Sequence, residues 1–225
     1  MTVSASFPGF SLEALQFLAD LAANNDRTWF QARKAEYERL LKEPMQELCA
    51  ALSVEFAARE LPIDADPIRS PFRIYRDVRF SKDKSPYKTY VSASFPWSGE
   101  GAGVGGYFSL HPEQMYVGGG CWHPDSRRLA AWRTAVSDDR GAVHAAIDDP
   151  GFVATFGEVD GERLKRVPPG FAADDPDAEL LKLKDVTFGR RLSDEEVISP
   201  SLPTVIADTL AAGLPVMRLL ASLPT

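Results

Sequence analysis

The chain has 225 residues, 44% hydrophobic and 25% charged, with a formal net charge of −7 at pH 7. That composition fits a globular chain of one large domain or two small ones, and its acidity argues against a general nucleic-acid coat protein. No apolar run approaches the ~20 residues that span a bilayer, the N-terminus M-T-V-S-A-S-F-P-G-F lacks a basic region followed by an apolar one, and Cys49 and Cys121 give no disulfide framework, so a cytoplasmic setting without a membrane partner is expected.

Ser11 predicts the N-cap of a helix with Leu12, Leu15, Leu18 and Leu21 at helical spacing. Asn24-Asn25 ends it, and Asp26 can cap a second helix carrying Trp29, Phe30, Arg33, Tyr37, Leu40 and Leu41. Pro44 marks a kink or the first residue of a third helix. The stripe of that helix is Met45, Leu48, Cys49, Leu52 and Phe56, which makes Cys49 a packing residue. Leu61 to Pro71, with three prolines, is extended.

From Arg69 to Lys88 the chain carries seven basic residues against two acidic ones, Asp77 and Asp83. This is a local charge of +5 within a chain of −7. Clustered guanidinium groups repel one another and need counter-charges or an anionic ligand. Phe72 to Phe80 reads as a strand with Phe72, Ile74, Arg76, Val78 and Phe80 on one face and Arg73, Tyr75, Asp77 and Arg79 on the other. Ser81 to Lys88 reads as a loop, with Pro86 holding Ser85 out of the helical region. Arginine forks bind phosphate or carboxylate bidentately, and two carboxylates cannot neutralise seven cations. A ligand site is therefore preferred here over a structural charge network. Its expected members are Arg73, Arg76, Asp77, Arg79, Lys82, Lys84, Tyr87 and Lys88, with Asp77 orienting the guanidinium groups and Tyr75 or Tyr87 stacking.

Thr89 to Pro96 reads as a strand, with Val91, Ala93 and Phe95 alternating against Tyr90, Ser92 and Ser94. Gly99 to Gly106 reads as a mobile connection without a P-loop ending. Gly106 to His111 and Gln114 to Gly118 read as a hairpin turning at Pro112-Glu113. The three glycines from Gly118 to Gly120 suit close approach of a ligand or of packed backbone equally well. Asp125 or Ser126 caps a helix with Leu129, Trp132 and Val136; a short helix holds Val143 and Ile147; Pro150 begins another. Leu164 to Val167 and Lys184 to Arg191 read as strands, with a short helix from Ala178 to Leu181 between them. Ser193 to Glu196 is a capping box, and a last helix runs from Leu202 to Leu223, broken at Gly213 and Pro215. Helices first, strands in the middle and helices last predict an α+β domain with a largely antiparallel sheet, one domain over residues 5–223.

His111, His123 and His144 show no metal-ligand spacing. Cys121 beside His123 invites a nucleophile-and-base reading, but a base normally comes from elsewhere in a fold. Asp77 and Asp83 could hold a divalent ion, although their cationic neighbours already supply positive charge, so no metal is expected. Ion pairing with Arg73 and Arg79 would make Asp77 a poor general base.

The run from Arg73 to Lys88, R-I-Y-R-D-V-R-F-S-K-D-K-S-P-Y-K, resembles an uncharacterised bacterial conserved-hypothetical family, also found within longer fungal proteins. That family is marked by R-x-x-R-D-x-R-F followed by D-K and a tyrosine. Asn24-Asn25-Asp26-Arg27-Thr28-Trp29-Phe30 is similar to its N-N-x-x-W-F motif, and Gly118 to Gly120 with Pro124 and Leu180-Leu181-Lys182 are similar as well. The resemblance implies one domain and brings no catalytic residue. The expected function is binding, with or without turnover, of a phosphorylated or other anionic small ligand, and phosphoester or nucleotide chemistry if a reaction follows. The rival is a non-catalytic module that binds nucleic acid or an acidic protein partner through the same basic face.

Overall fold

A computed structural model of the chain describes residues 7–224. The start of the N-terminal reading and the domain boundary at residue 5 lie outside the described residues. The chain is α+β: helices, then a central antiparallel sheet, then helices. The N-terminal helices are α1 (Leu12–Ala23), α2 (Arg27–Ala32), α3 (Lys34–Tyr37) and α4 (Glu43–Ala58). Ser11 caps α1 and Asp26 caps α2, each side chain accepting a backbone N–H two to three residues into the helix. Pro44 sits at the start of α4, just after a π turn over Glu38–Lys42. A proline has no N–H to donate and crowds the carbonyl four residues back, and the wider turn precedes it.

The strands β1 (Val91–Pro96), β2 (Val104–Leu110), β3 (Tyr116–Cys121) and β4 (Val186–Arg191) form one sheet in the order β1-β2-β3-β4, antiparallel throughout. Between β3 and β4 lie α5 (Ser126–Asp138), α6 (Arg140–Ile147), α7 (Pro150–Phe156) and α8 (Ala178–Leu181). After β4 come α9 (Asp194–Ile198), α10 (Leu202–Ala212) and α11 (Leu214–Ser222). The Ser193–Glu196 capping box forms in full, and α10 meets α11 at 55° around Gly213. No single helix among the described residues is long and apolar enough to cross a membrane.

The sequence expectations need four corrections. Phe72 to Phe80 makes no ladder, only isolated bridges at Pro71 and Tyr75. Gly99 to Gly106 is not all connection, because β2 already starts at Val104 and pairs through Gly105 and Gly106. The second hairpin strand runs from Tyr116 to Cys121 rather than from Gln114, so its glycines lie inside the sheet. Leu164 to Val167 forms no strand, and Arg163 only bridges Leu183.

The helices pack on one face of the sheet. Val91, Ala93 and Phe95 of β1, Phe108 of β2, Val117 of β3 and Phe188 of β4 point into them and are buried. One part of this core joins β1 and β2 to α1, α4 and α10 through Leu18, Leu48, Leu52, Phe56 and Leu210. The other joins β3 and β4 to α5, α6, α7 and α11 through Trp132, Val136, Val143, Phe152 and Met217. Helices on one face leave the opposite face of the sheet to be explained.

Candidate functional site

The register specifies what that opposite face carries. Ser94 pairs with Tyr107, Tyr107 with Gly118 and Gly118 with Gly189; Pro96, Gly105, Gly120 and Thr187 form the next row, and Ser92, Ser109, Tyr116 and Arg191 the previous one. Residues directly opposite one another share a face. The row-by-row content is therefore serine, tyrosine, threonine and glycine with one arginine, Arg191, and with no Asp or Glu and no aliphatic residue besides proline. Glycines at the centre give a floor without side chains.

A groove of about 770 Å³ lies over this floor, within the ~300–1,000 Å³ range of ligand clefts. Phe72, Tyr90, Tyr107, Tyr116 and Trp122 supply aromatic walls, and Lys88 is the one charged side chain among the described residues that line it. Burial pushes up the phenol pKa of Tyr90 and of Tyr116, so both stay protonated donors at neutral pH. The Tyr116 hydroxyl donates to the Phe188 carbonyl at 3.1 Å, which lays its ring across Gly189 and Gly118.

The basic segment forms one edge of this groove. Ser94 N–H donates to the Ser70 carbonyl and Phe72 N–H to the Ser92 carbonyl, so residues 70–72 cover the outer edge of β1. The chain then leaves the sheet and returns as a long hairpin closed by the Tyr75–Tyr87 bridge, with Arg76 N–H on the Pro86 carbonyl and Lys88 N–H on the Ile74 carbonyl. Tyr87 is a core residue only 2% exposed, with its ring stacked on Phe30 at 4.0 Å. Its N–H and carbonyl are both held by the Asn25 side chain, at 3.1 and 3.0 Å. The N-N-D-R-T-W-F and P-Y-K segments are thus two halves of one joint.

Two of the seven cations find carboxylates: Arg76 pairs with Asp83 across the hairpin, and Arg79 with Asp77 at 2.7 Å. These contacts hold the Asp83 carboxyl well below the usual range, through Arg76 first and then Ser85, and bring Asp77 down to about 2 through Arg79. Lys84 donates to the Val78 carbonyl at 2.9 Å. Arg76, Asp77, Arg79, Lys84 and Asp83 therefore build the hairpin tip, which explains why local alternation failed: ion pairs between its arms replaced a strand ladder. Phe80, expected on an apolar face, is 95% exposed there. Lys82 is also exposed at the tip and has no partner among the described residues.

Arg73 and Lys88 behave differently. Neither has a carboxylate partner or a side-chain hydrogen bond among the described residues. Lys88 is half-buried, its ammonium 5.1 Å from the Phe72 ring and 5.8 Å from the Tyr90 ring. Its pKa is lowered, by burial first and by the nearby Arg73 guanidinium second. Arg73 is exposed and lines a smaller cavity of about 360 Å³ together with Lys34, Glu38, Lys42 and Tyr75, and Phe72 and Ser92 border both spaces. Of the eight expected site residues, the structure brings these two together beside the groove, leaves five on the hairpin and buries Tyr87.

The other end of the groove was not anticipated. After Gly120 (φ +116°) and Cys121, the chain turns sharply at His123, which has a left-handed φ of +51°. That conformation costs roughly 1–3 kcal/mol in a residue with a Cβ. The Asp185 carboxylate, itself buried, accepts the His123 N–H at 2.7 Å and holds the turn. Trp122 consequently stands 72% exposed, its ring 4.4 Å from the His123 imidazole. Cys121 points into the core, where burial pushes its thiol up, so the Cys121/His123 nucleophile reading falls. His144 belongs to no site. It ties α6 to residue 177, with Nδ1 on Asp148 and Nε2 on Asp177. No group of three or more metal-ligating side chains occurs among the described residues.

The sequence model of a family described as Conserved hypothetical protein (DUF2461) matches residues 13–218. No curated protein and no solved structure matches the chain.

Proposed function

The chain belongs to the DUF2461 family of conserved hypothetical proteins, and from that premise we propose that it binds a phosphorylated or other anionic small ligand on the open face of its sheet, with the anion at Lys88 and Arg73. One observation carries this reading. Lys88, half-buried, stands without a carboxylate partner among the described residues in a groove whose lining has none, and the exposed Arg73 guanidinium lies close enough to lower its pKa. Charge removed from water is costly unless paired, so such a pair favours an anion that bridges it. Arg73 offers a planar fork, Lys88 a point charge, and the phenol of Tyr90 and hydroxyl of Ser94 neutral donors close by. The lining supports binding, with or without turnover.

The test is a thermal-shift panel of inorganic phosphate, nucleotides, sugar phosphates, polyphosphate and short oligonucleotides, run on the wild type and on Lys88→Gln, Arg73→Gln and Arg79→Gln. A small anion at ~100 times its dissociation constant should add about 2.7 kcal/mol, roughly 5–11 °C for a chain of this size. The shift should vanish in Lys88→Gln and Arg73→Gln and survive in Arg79→Gln. Loss in Arg79→Gln alone would move the site to the hairpin tip. A response to oligonucleotides only, falling steeply with salt, would favour the nucleic-acid reading.

A further inference from the structure

The two ends of the groove differ in chemistry, and that difference carries an inference that rests on the binding reading above. Lys88 precedes β1, at one edge of the sheet. Trp122 follows β3 and lines the groove beside Thr187 of β4, near the other edge. Strand spacings of ~4.8 Å put β1 and β4 roughly 14 Å apart. The cation and the indole also lie at opposite ends of the strands, because Ser92, near Lys88, is in the row of Ser109 and Tyr116, whereas Thr187 is in the row of Pro96 and Gly120. The four residues between those rows add ~13 Å along the strands, a backbone diagonal of roughly 19 Å, and the long side chains of Lys88 and Trp122 span part of it from either end. A bare phosphate at Lys88 would leave Trp122 untouched.

Trp122 is more than an exposed side chain. A strained turn at His123 presents it, and a buried carboxylate, Asp185, is committed to holding that turn. Backbone strain maintained by dedicated contacts is a mark of a functional position. Between the two ends the floor is Gly105 and Gly120, over which a flat group can lie against backbone, with the Tyr116 ring covering Gly118 and the Tyr107 phenol alongside. Aromatic side chains with a free face stack planar rings, and phenols and serine hydroxyls suit the hydroxyls of a sugar.

We infer that the ligand is a phosphate monoester bearing a planar ring, lying diagonally across the sheet with its phosphate at Lys88 and Arg73, its ring on Trp122 and a polar spacer of about pentose length over the glycine floor. Nucleoside monophosphates have this layout, and AMP is the probe.

Calorimetric titrations with AMP, ribose 5-phosphate and inorganic phosphate on the wild type, Trp122→Ala, Trp122→Phe and Lys88→Gln test it. AMP should bind at least tenfold more tightly than ribose 5-phosphate. Trp122→Ala should reduce AMP to the affinity of ribose 5-phosphate while leaving ribose 5-phosphate unchanged, Trp122→Phe should restore most of the difference, and Lys88→Gln should weaken both. Trp122 is largely exposed, so its variants should keep the wild-type melting temperature. Equal wild-type affinities for AMP and ribose 5-phosphate, or AMP binding indifferent to Trp122→Ala, would overturn the ring assignment and leave the anion site standing. Absence of wild-type binding to all three probes, with Lys88→Gln and the wild type alike, would overturn both.

Discussion

Phe30→Ala is expected to cost about 3–5 kcal/mol, or roughly 6–20 °C of melting temperature. Phe30 is 1% exposed, stacks on Tyr87 and makes further ring contacts with Tyr37 and Tyr75. Alanine would remove the packing between α2 and the closing bridge of the hairpin. The Asn25 hydrogen bonds to Tyr87 would remain, but they hold backbone and not the ring. Amide exchange at Arg76, Tyr87 and Lys88 should rise by more than global unfolding explains, because the hairpin loses its own anchor. Lys88 would lose its position over Phe72, so anion binding should weaken as well. A loss below about 1 kcal/mol, with exchange unchanged, would mean that the aromatic cluster does not support the hairpin.

Gly120→Ala should be the most damaging small substitution in the sheet. Gly120 has φ +116°, a region that a residue with a Cβ avoids, and its added Cβ would lie 2.3 Å from the Val186 carbonyl oxygen and 2.8 Å from the Thr187 Cα. Both neighbours are backbone of β4, so the clash can be relieved only by moving β3 away from β4. Overpacking of this kind costs about 1–3 kcal/mol, and the strained φ adds to it. The same methyl stands where the groove floor bends toward Trp122, so ligand affinity should fall together with stability. Gly141→Ala is the contrasting case: it lies in α6 with nothing near its added Cβ, and it should be neutral or stabilise by up to ~1 kcal/mol. Urea denaturation of the two variants side by side checks both expectations.

Much of the fold was legible locally. Ser11, Asp26, Asp125 and Ser193 cap helices where the sequence places them, because capping depends on a few adjacent residues. β1 shows the expected alternation, with Val91, Ala93 and Phe95 inside. The basic segment was legible as a place of interest but not as a shape. Its alternation imitates a strand, and what decides its path is non-local: the joint with Asn25 and Phe30, and the Arg76–Asp83 pair closing its own hairpin. Charge counting also treats seven cations as one cluster, whereas the structure pairs Arg76 and Arg79 within the hairpin and sets Lys88 apart in the groove wall.

The groove was the larger omission, and a signal for it existed. Ser92 and Ser94, Gly105 and Tyr107, Gly118 and Gly120, and Thr187 and Gly189 are each two residues apart, a period of small or phenolic residues opposite an apolar face. Only the register across four strands turns these separate pairs into one floor. The Trp122 turn had no comparable signal, since a left-handed histidine held by a buried aspartate 62 residues away cannot be read from its neighbours.

The central claim concerns which surface binds, and backbone amide shifts read that directly. Titrating isotope-labelled protein with AMP should move the amide signals of Lys88, Ser92, Gly105, Gly118 and Gly120 together, saturating at one dissociation constant, while those of Val78 to Ser85 stay in place. Shifts confined to Val78–Ser85, with the sheet glycines unmoved, would contradict the account and put the anion on the hairpin tip.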